Sequence, residues 1–469
     1  MKAIVSLGCR LARRLLGGVI FLASIGLPAI ALFPPSAFAV PSMARQTGIP
    51  CAGCHTVFPE LTPFGRQFKL SGYTLSSADW DAKPWTQRLP IAGGLQVSRT
   101  STENPPAGGT KAGGATPTDF PHDGKWIAQN AALYYGGKIT DKSGALIQYN
   151  YDGIEGKWGM EMFDARYADT ASVGSGSLIW GVTANNAPSV SDIYNSTPSW
   201  GFPHTGTAAD QMPAATLIDM TLASKVGGMG VYTLWNDLFY AEVATYRTAK
   251  NGAFRFMSWG KRWDDPALSG SVLDSNAPYW RLALQKETGP HSFSVGTYGM
   301  TAKVFQDATN AALGTNRFRD IGYDANYQYI EGDHTASIRS TWINEKQDRN
   351  DAVLANGLAS NASNTLKTLR VDLHYYYQRK WGGGLEYFRT TGTTDMLLYN
   401  TGDALMGSAN GSPDARGYIA ELNYLPVEYV KLALRFTRFQ QFNGASNDYM
   451  PGRNASDNNT VYALAWLMF

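Results

Sequence analysis

The chain has 469 residues, with 40 lysines and arginines against 38 aspartates and glutamates and a formal net charge of +2. Charged residues make up only 17% of the chain, whereas aromatic residues make up 12%. This near-neutral balance supplies no basic field for nucleic acid, so we exclude nucleic acid as a partner.

Residues 1–39 have the organisation of a signal peptide. Basic residues precede an apolar stretch over 15–33, and small residues stand where a signal peptidase cleaves: Lys2, Arg10, Arg13 and Arg14, then Ala37-Phe38-Ala39. We predict cleavage and a mature chain that begins near Val40. A retained membrane helix is the alternative, although Gly26 and Pro28 interrupt the apolar stretch. Removing the leader leaves 36 basic residues against 38 acidic ones.

The sequence Cys51-Ala52-Gly53-Cys54-His55 is typical of covalent attachment of one c-type haem. Two thiols at this spacing form thioethers to the haem, and His55 follows at the place of an axial iron ligand. The third cysteine, Cys9, is lost with the leader. A redox dithiol leaves His55 unexplained, and half a zinc site lacks further thiols. The motif therefore predicts one covalent haem c, an exported protein and electron transfer.

A short helix is predicted just after the motif. Thr62 resembles an N-cap, and Pro63 suits the first helical position. Phe64 and Phe68 then lie on one face, while the cations Arg66 and Lys69 are candidate partners for the haem propionates. The alternative for both cations is a solvated surface turn. Because residues 40–80 are too few for an ordinary cytochrome core, this monohaem cytochrome c segment needs a staple or an enclosure by the rest of the chain.

Residues 81–469 alternate apolar and polar side chains in many short segments, which predicts β-strands. In 320–329, for example, Asp320 and Asp324 alternate with Ile321, Tyr323 and other apolar residues. A soluble β-sandwich would alternate in the same way. Sixteen strands are predicted near 91–99, 127–139, 145–151, 161–168, 177–184, 216–226, 231–247, 279–288, 292–305, 317–331, 335–347, 365–379, 383–395, 415–425, 430–442 and 460–469.

The connections between these segments favour a membrane barrel over a sandwich. Short turns alternate with long polar loops near 100–126, 185–215, 248–278, 348–364, 396–414 and 443–459. An even strand number with short periplasmic turns and long outer loops is typical of outer-membrane proteins. The predicted fold is thus an all-β transmembrane barrel of about 16 antiparallel strands in the bacterial outer membrane, in contact with its lipid. Its polar lumen should be lined by charged residues: Asp320, Asp324, Arg339, Arg370, Asp372, Glu386, Glu421, Lys431 and Arg435.

The sequence resembles the fused monohaem cytochrome c–porins of the outer membrane, a family that includes the outer-membrane cytochromes of iron-oxidising bacteria. The resemblance is most specific over 44–48, 51–55, 58–70 and 72–73, and it extends loosely over the barrel to the ending at Phe469. It implies haem attachment at Cys51 and Cys54 and a proximal ligand at His55. It also implies ferrous iron as the outer electron donor and a periplasmic cytochrome or other soluble carrier as the acceptor.

The second axial ligand and the direction of electron flow stay open at this point. Met43 stands where the family usually has Phe, and His374 is a candidate within a strand. For Met160 and Met162 hydrophobic packing is the more ordinary role, and water or an open position is a further alternative. The outer loops offer oxygen and imidazole groups for transient binding of iron, with ordinary solvated loop residues as the alternative: Asp119, His122, Asp123, Asp192, His204 and Asp210. The alternatives in function are a solute porin with a separate periplasmic cytochrome segment and outward electron export. Whether the chain acts as an iron:cytochrome c oxidoreductase is also open.

Overall fold

A computed structural model describes residues 41–56, 59–105, 123–154, 156–197, 206, 212–248, 272–401 and 407–469. The predicted leader, Asp119, His122, His204 and Asp210 lie outside this part of the chain. Sixteen antiparallel strands form one closed barrel, in which each strand pairs with its neighbours in sequence and the first strand closes on the last. The predicted barrel and its strand number are therefore confirmed.

The strands are β1 (Ile91–Thr102), β2 (Trp126–Thr140), β3 (Ser143–Asp152), β4 (Lys157–Val173), β5 (Gly176–Asn185), β6 (Gly227–Trp235), β7 (Phe239–Arg247), β8 (Ala277–Thr288), β9 (His291–Phe305), β10 (Thr315–Glu331), β11 (His334–Asp348), β12 (Ser363–Tyr377), β13 (Trp381–Gly392), β14 (Ala415–Val427), β15 (Val430–Gln441) and β16 (Thr460–Met468).

The helices are α1 (Pro41–Thr47), α2 (Cys51–Cys54), α3 (Pro63–Leu70), α4 (Trp85–Arg88), α5 (Pro188–Ser191), α6 (Asp351–Ala355) and α7 (Met396–Tyr399). Three short 3-10 helices span Trp80–Ala82, Ala311–Leu313 and Ala455–Asn458, and a π-helical turn spans Leu217–Thr221. Within the described ranges, none of the helices has the length and apolar character needed to cross a membrane.

The two faces of the barrel wall differ as the alternation predicts. On β10, Ile321 and Tyr323 point outward and are about half exposed, whereas Asp320, which precedes Ile321, is buried inside. Leu385 and Leu422 continue the outward apolar surface and are among its most exposed side chains. An apolar exterior around a polar interior is the arrangement of a barrel that faces lipid. Closure of the barrel also leaves no unpaired strand edge in the membrane.

Two of the predicted strands are wrong in a way that preserves the count. The segment 216–226 forms no strand and instead contains the π-helical turn Leu217–Thr221 inside the barrel. The segment 231–247 is two strands, because Asn236 and Asp237 both adopt positive φ and turn the chain between β6 and β7. Asparagine and aspartate tolerate this conformation better than other residues with a side chain. Because this turn lies within an apolar stretch, the pattern of apolar and polar residues does not mark its position.

The described residues of the long connection between β5 and β6 (186–197, 206 and 212–226) form an inward loop that enters the barrel instead of extending outward as expected. Asp192 is buried, accepts hydrogen bonds from the backbone N–H groups of Tyr194 and Ser196, and lies 3.5 Å from Arg281. Further along, the N–H of Leu217 donates to Glu345 at 2.6 Å. The inward position of Asp192 corrects the expectation that it is a solvated outer-loop ligand for iron. Charged groups inside the wall hold this loop, because buried backbone N–H groups need acceptors.

The last strand closes the barrel. β16 pairs with β15 on one side and β1 on the other, and Phe469 exchanges two backbone hydrogen bonds with Gly93 at 2.7 and 3.0 Å. Both strands next to β16 would have unpaired edges without it, and such edges are not tolerated in lipid.

Deletion of residues 460–469 is therefore expected to abolish assembled protein in the outer membrane. The measurement is the amount of heat-modifiable, folded barrel on a gel after membrane fractionation. Trp85→Ala is the matched control, since Trp85 is 69% exposed and pairs with no strand. Equal amounts of folded barrel from the deletion and the parent would contradict the closure described here.

Candidate functional site

Helix α1 is fixed to the inner wall near the short-turn end of the barrel. Ser42 donates a hydrogen bond to the carbonyl of Gly136 on β2 at 2.7 Å. The Gln46 side chain donates to the carbonyls of Tyr73 and Leu75 and accepts from the N–H of Lys138 at 2.8 Å. One buried amide thus joins both ends of the segment 41–75 to the wall, which sets where the attachment motif begins.

Helix α2, which carries the two cysteines, is held in place by α3. The predicted N-cap is confirmed: the Thr62 hydroxyl accepts from the N–H of Gly65, and Pro63 occupies the first turn. The same hydroxyl donates to the carbonyl of Gly53 at 2.6 Å, and the N–H of Thr62 donates to the carbonyl of Cys54 at 2.9 Å. A Cβ on Gly65 would lie 2.2 Å from the carbonyl oxygen of Cys54, so only glycine permits this approach.

Cys51, Cys54 and His55 line one cavity between this segment and the barrel wall. The segment also contributes Met43 and Phe68, and the wall contributes apolar side chains from four strands: Tyr134, Leu146, Met162, Trp466 and Met468. The empty space is about 1180 Å³ when the part open to solvent is counted. The two thiols are not joined by a disulfide.

Burial sets the protonation of the groups on this cavity. It lowers the pKa of His55 to about 4, against backbone contacts with Glu60 and Pro59 that act in the other direction. It raises the pKa of the Cys54 thiol to about 11. At neutral pH the imidazole is therefore neutral, which is the form that ligates iron, and the thiol keeps its proton. Two unbridged thiols in one helical turn, a neutral imidazole and apolar walls fit a covalent haem.

The two predicted cationic partners have different positions. Lys69 lines the cavity, where it donates to the carbonyl of Val190 at 2.5 Å and lies 3.7 Å from Asp164. Burial lowers the pKa of Lys69 to about 8, and Asp164 opposes that shift. Arg66 instead extends toward β9 and β10, where it donates to Ser292 at 3.0 Å and to Gln328 at 3.3 Å. Pairing with a propionate stays a prediction for both residues, and only Lys69 lies on the cavity.

A buried ion-pair network joins the segment to the opposite wall. Glu60 Oε1 lies 3.1 Å from Arg339 on β11 and 3.0 Å from His374 on β12, and Asp372 also contacts Arg339. Burial alone would raise the pKa of Glu60, but Arg339 and His374 outweigh it and hold this pKa well below the usual value. His374, a candidate axial ligand from its sequence position, is thus engaged with Glu60 and does not line the cavity. Sequence reasoning missed this network, because Glu60 is hundreds of residues away from Arg339, Asp372 and His374 in the chain.

The methionines on the cavity were only partly anticipated. Met43, Met162 and Met468 all line it. The sequence marked Met162 as an ordinary packing residue, and nothing in its pattern singled out Met468. Inward alternation on β4 and β16 is the signal that would have found both, because the wall residues nearest the N-terminal segment must face into the lumen.

No family model and no curated protein matches this chain. Several solved outer-membrane structures are similar in overall shape. OmpF of Salmonella typhi is 14% identical, with a TM-score of 0.43 over 81% of this chain and 97% of that one. The channel DcaP of Acinetobacter baumannii is 13% identical, with a TM-score of 0.42 over 81% and 96%. OmpT of Vibrio cholerae is 12% identical, with a TM-score of 0.40 over 81% and 97%.

Gly65→Ala is expected to reduce covalent haem at least severalfold while the barrel still assembles. The added methyl group collides with the Cys54 carbonyl and displaces α2 from α3. Haem staining on a denaturing gel, normalised to folded barrel, measures the effect. Gln67→Ala is the control, because Gln67 lies on the exposed side of the same helix. Normal staining of Gly65→Ala would show that this close approach is dispensable.

Glu60→Gln is expected to weaken docking of the segment by about 2 kcal/mol. This is less than the usual cost of breaking a buried ion pair, because Asp372 still faces Arg339. Native-state proteolysis of residues 41–90 should then be faster by roughly 30-fold, provided that cleavage reports the undocked fraction. Asp79→Asn is the control, since Asp79 is an exposed member of an ion pair on the same segment. An unchanged cleavage rate for Glu60→Gln would show that the ion-pair network does not contribute to docking of the segment.

Proposed function

We propose that the protein is an outer-membrane electron conduit that passes single electrons through one c-type haem. The outer donor is ferrous iron, and the acceptor is a periplasmic cytochrome or another soluble carrier. One observation carries the proposal: Cys51, Cys54 and His55 face a single apolar cavity whose other side is the inner wall of the barrel. The apolar band of such a barrel is about 25 Å high. A single haem serves as a conduit best when the barrel itself encloses it.

The residues of the cavity would hold the haem as follows. Cys51 and Cys54 would form the thioethers to the haem, and the His55 imidazole would ligate its iron. The haem supplies reversible one-electron chemistry at its iron. Phe68 and Trp466 exclude water from the cavity, and Lys69 offers a positive charge to a propionate. The chain therefore tunes the redox potential through ligand, burial and charge, and performs no covalent chemistry on the donor.

The position of the segment supports conduction across the membrane over a separate periplasmic carrier. Its hydrogen bonds reach around the wall: Gln46 bonds to β2, Tyr73 to Asp164 on β4, Leu70 to Tyr232 on β6, and Leu61 to Gln328 on β10. A segment that hung freely in the periplasm would not need these contacts. The Glu428 side chain, from the short turn after β14, accepts from the N–H of Cys51 at 3.1 Å, which supports an exit for electrons at that end.

A solute porin is the second candidate, and the barrel itself favours it. Sixteen antiparallel strands around a polar lumen are the architecture of a diffusion pore. The N-terminal segment and the inward loop occupy that lumen, which favours a low conductance. Single-channel recording on the full-length protein separates the two functions. A steady open conductance that is insensitive to Cys51→Ala and Cys54→Ala would support the porin.

The conduit is tested with liposomes that contain the protein in the membrane and oxidised soluble cytochrome c inside. Ferrous iron added outside should reduce the internal cytochrome, while an internal chelator that colours with ferrous iron reports any leak. Reduction only when the donor is inside and a ferric acceptor is outside would reverse the direction to electron export. No transfer in either direction would overturn the conduit.

The double variant Cys51→Ala and Cys54→Ala is expected to lose covalent haem and transmembrane reduction completely and to assemble normally. The strands close among themselves, so the barrel does not depend on the thiols. Haem staining and the liposome assay are the measurements, and heat modifiability of the barrel is the control for folding. Haem staining that persists in this variant would eliminate attachment at the motif.

A further inference from the structure

Two different parts of the chain line the cavity. The segment before β1 supplies Cys51, Cys54 and His55, and β2, β3 and β4 supply the wall across from it, with Tyr134, Leu146 and Met162. We infer that the thioether of Met162 is the second axial ligand of the haem. This inference rests on the proposed function and adds to it a ligand that the barrel wall contributes.

Met162 occupies an inward position on β4. It pairs in register with Gln148, which also lines the cavity. Asp164, two residues further along the same strand, lines the cavity as well and bonds to Tyr73 and Lys69 of the segment. Because side chains alternate along a strand, Met162 and Asp164 share the lumen face. The Met162 thioether and the Asp164 carboxylate of β4 therefore both face the segment that carries the attachment motif.

The charged side chains Asp164, Asp192 and Lys69 on the cavity already have other partners. Asp164 accepts from Tyr73 at 2.6 Å and from Arg166 at 2.9 Å. Asp192 accepts from backbone N–H groups, and Lys69 donates to the carbonyl of Val190. Gln148 donates to Asn150 at 3.0 Å. The thioethers are the remaining donors that haem iron commonly accepts opposite a histidine.

Of the three methionines that line the cavity, Met162 is the one that lies on the β2–β4 wall. Met468 packs with Cys51 and Trp466 in one apolar cluster, which places it beside the attachment helix. Met43 belongs to α1, on the same segment as His55. A haem held by Cys51, Cys54 and His55 would occupy the space between the segment and this wall. Met162 is the only methionine of the described β2–β4 wall that lines the cavity.

A ligand from the wall has a functional consequence. Histidine–methionine ligation raises the potential of a c-type haem, which suits an acceptor for electrons from ferrous iron. It also makes ligation depend on docking, because His55 and Met162 meet across the cavity only when the segment is seated. A segment still in transit to the membrane would lack the second ligand and hold its haem at a lower potential.

The test uses the full-length protein with haem attached and three matched variants, Met162→Leu, Met43→Leu and Met468→Leu. The readouts are the near-infrared charge-transfer band that marks a thioether on ferric haem and the midpoint potential. Met162→Leu is expected to lose the band and to lower the potential, and Met162→His should restore a low-spin spectrum without the band. The other two leucine variants should keep the band. Heat modifiability reports folding in every case.

Several outcomes would overturn the inference. Met162 is not the ligand if Met162→Leu retains the band or if the parent protein has no band. Loss of the band only in Met43→Leu or Met468→Leu would assign the ligand to that methionine instead. Haem staining on a denaturing gel separates this failure from that of the proposed function. Stained protein without the Met162 effect refutes the ligand alone, whereas an unstained parent refutes the haem and the ligand together.

Discussion

The packing of the N-terminal segment against the inside of the barrel is the contact on which the candidate site depends. The segment before β1 is too short to bury a cofactor by itself, and the wall alone carries no cysteine. Neither part has a complete cavity without the other. Gln46, Glu60 and Tyr73 supply much of the contact through buried hydrogen bonds and ion pairs. Such groups are costly when unpaired, so they favour one docked position over many.

The lumen makes this docking feasible because it is polar. Arg339 and Asp372 face inward from neighbouring strands, where they meet Glu60 of the segment. The inward loop uses the same property: Arg370 on β12 forms a bidentate pair with Asp219 at 2.6 and 2.8 Å. A barrel with an apolar interior could not hold either element by charge. The exterior has the opposite character, since lipid excludes charge from the outward positions.

Apolar packing completes what the charges begin. The inward loop places Leu217, Ile218 and Leu222 against aromatic side chains of β7–β9, in one buried cluster with Tyr246 and Tyr298. On the other side of the lumen, Cys51 packs with Trp466 and Met468. The described residues of the loop and the segment therefore enter the lumen from two sides.

The sequence by itself determined the features that are written locally. The attachment motif, the helix that begins after Thr62 and the alternation along each strand of the wall each depend on residues that are close together in the chain. The strand number also followed from local pattern, although 216–226 and 231–247 were assigned wrongly and the two errors cancelled.

Only the tertiary structure decided which distant residues meet. It turned the loop after β5 inward, directed Arg66 to the wall and Lys69 to the cavity, and brought Met162 and Met468 to the same cavity as Met43. The alternation of apolar and polar residues predicts whether a side chain faces the lumen. It does not predict how far along the barrel axis, or where around that axis, the side chain lies. Those depend on strand register and on barrel closure, which are properties of the whole sheet.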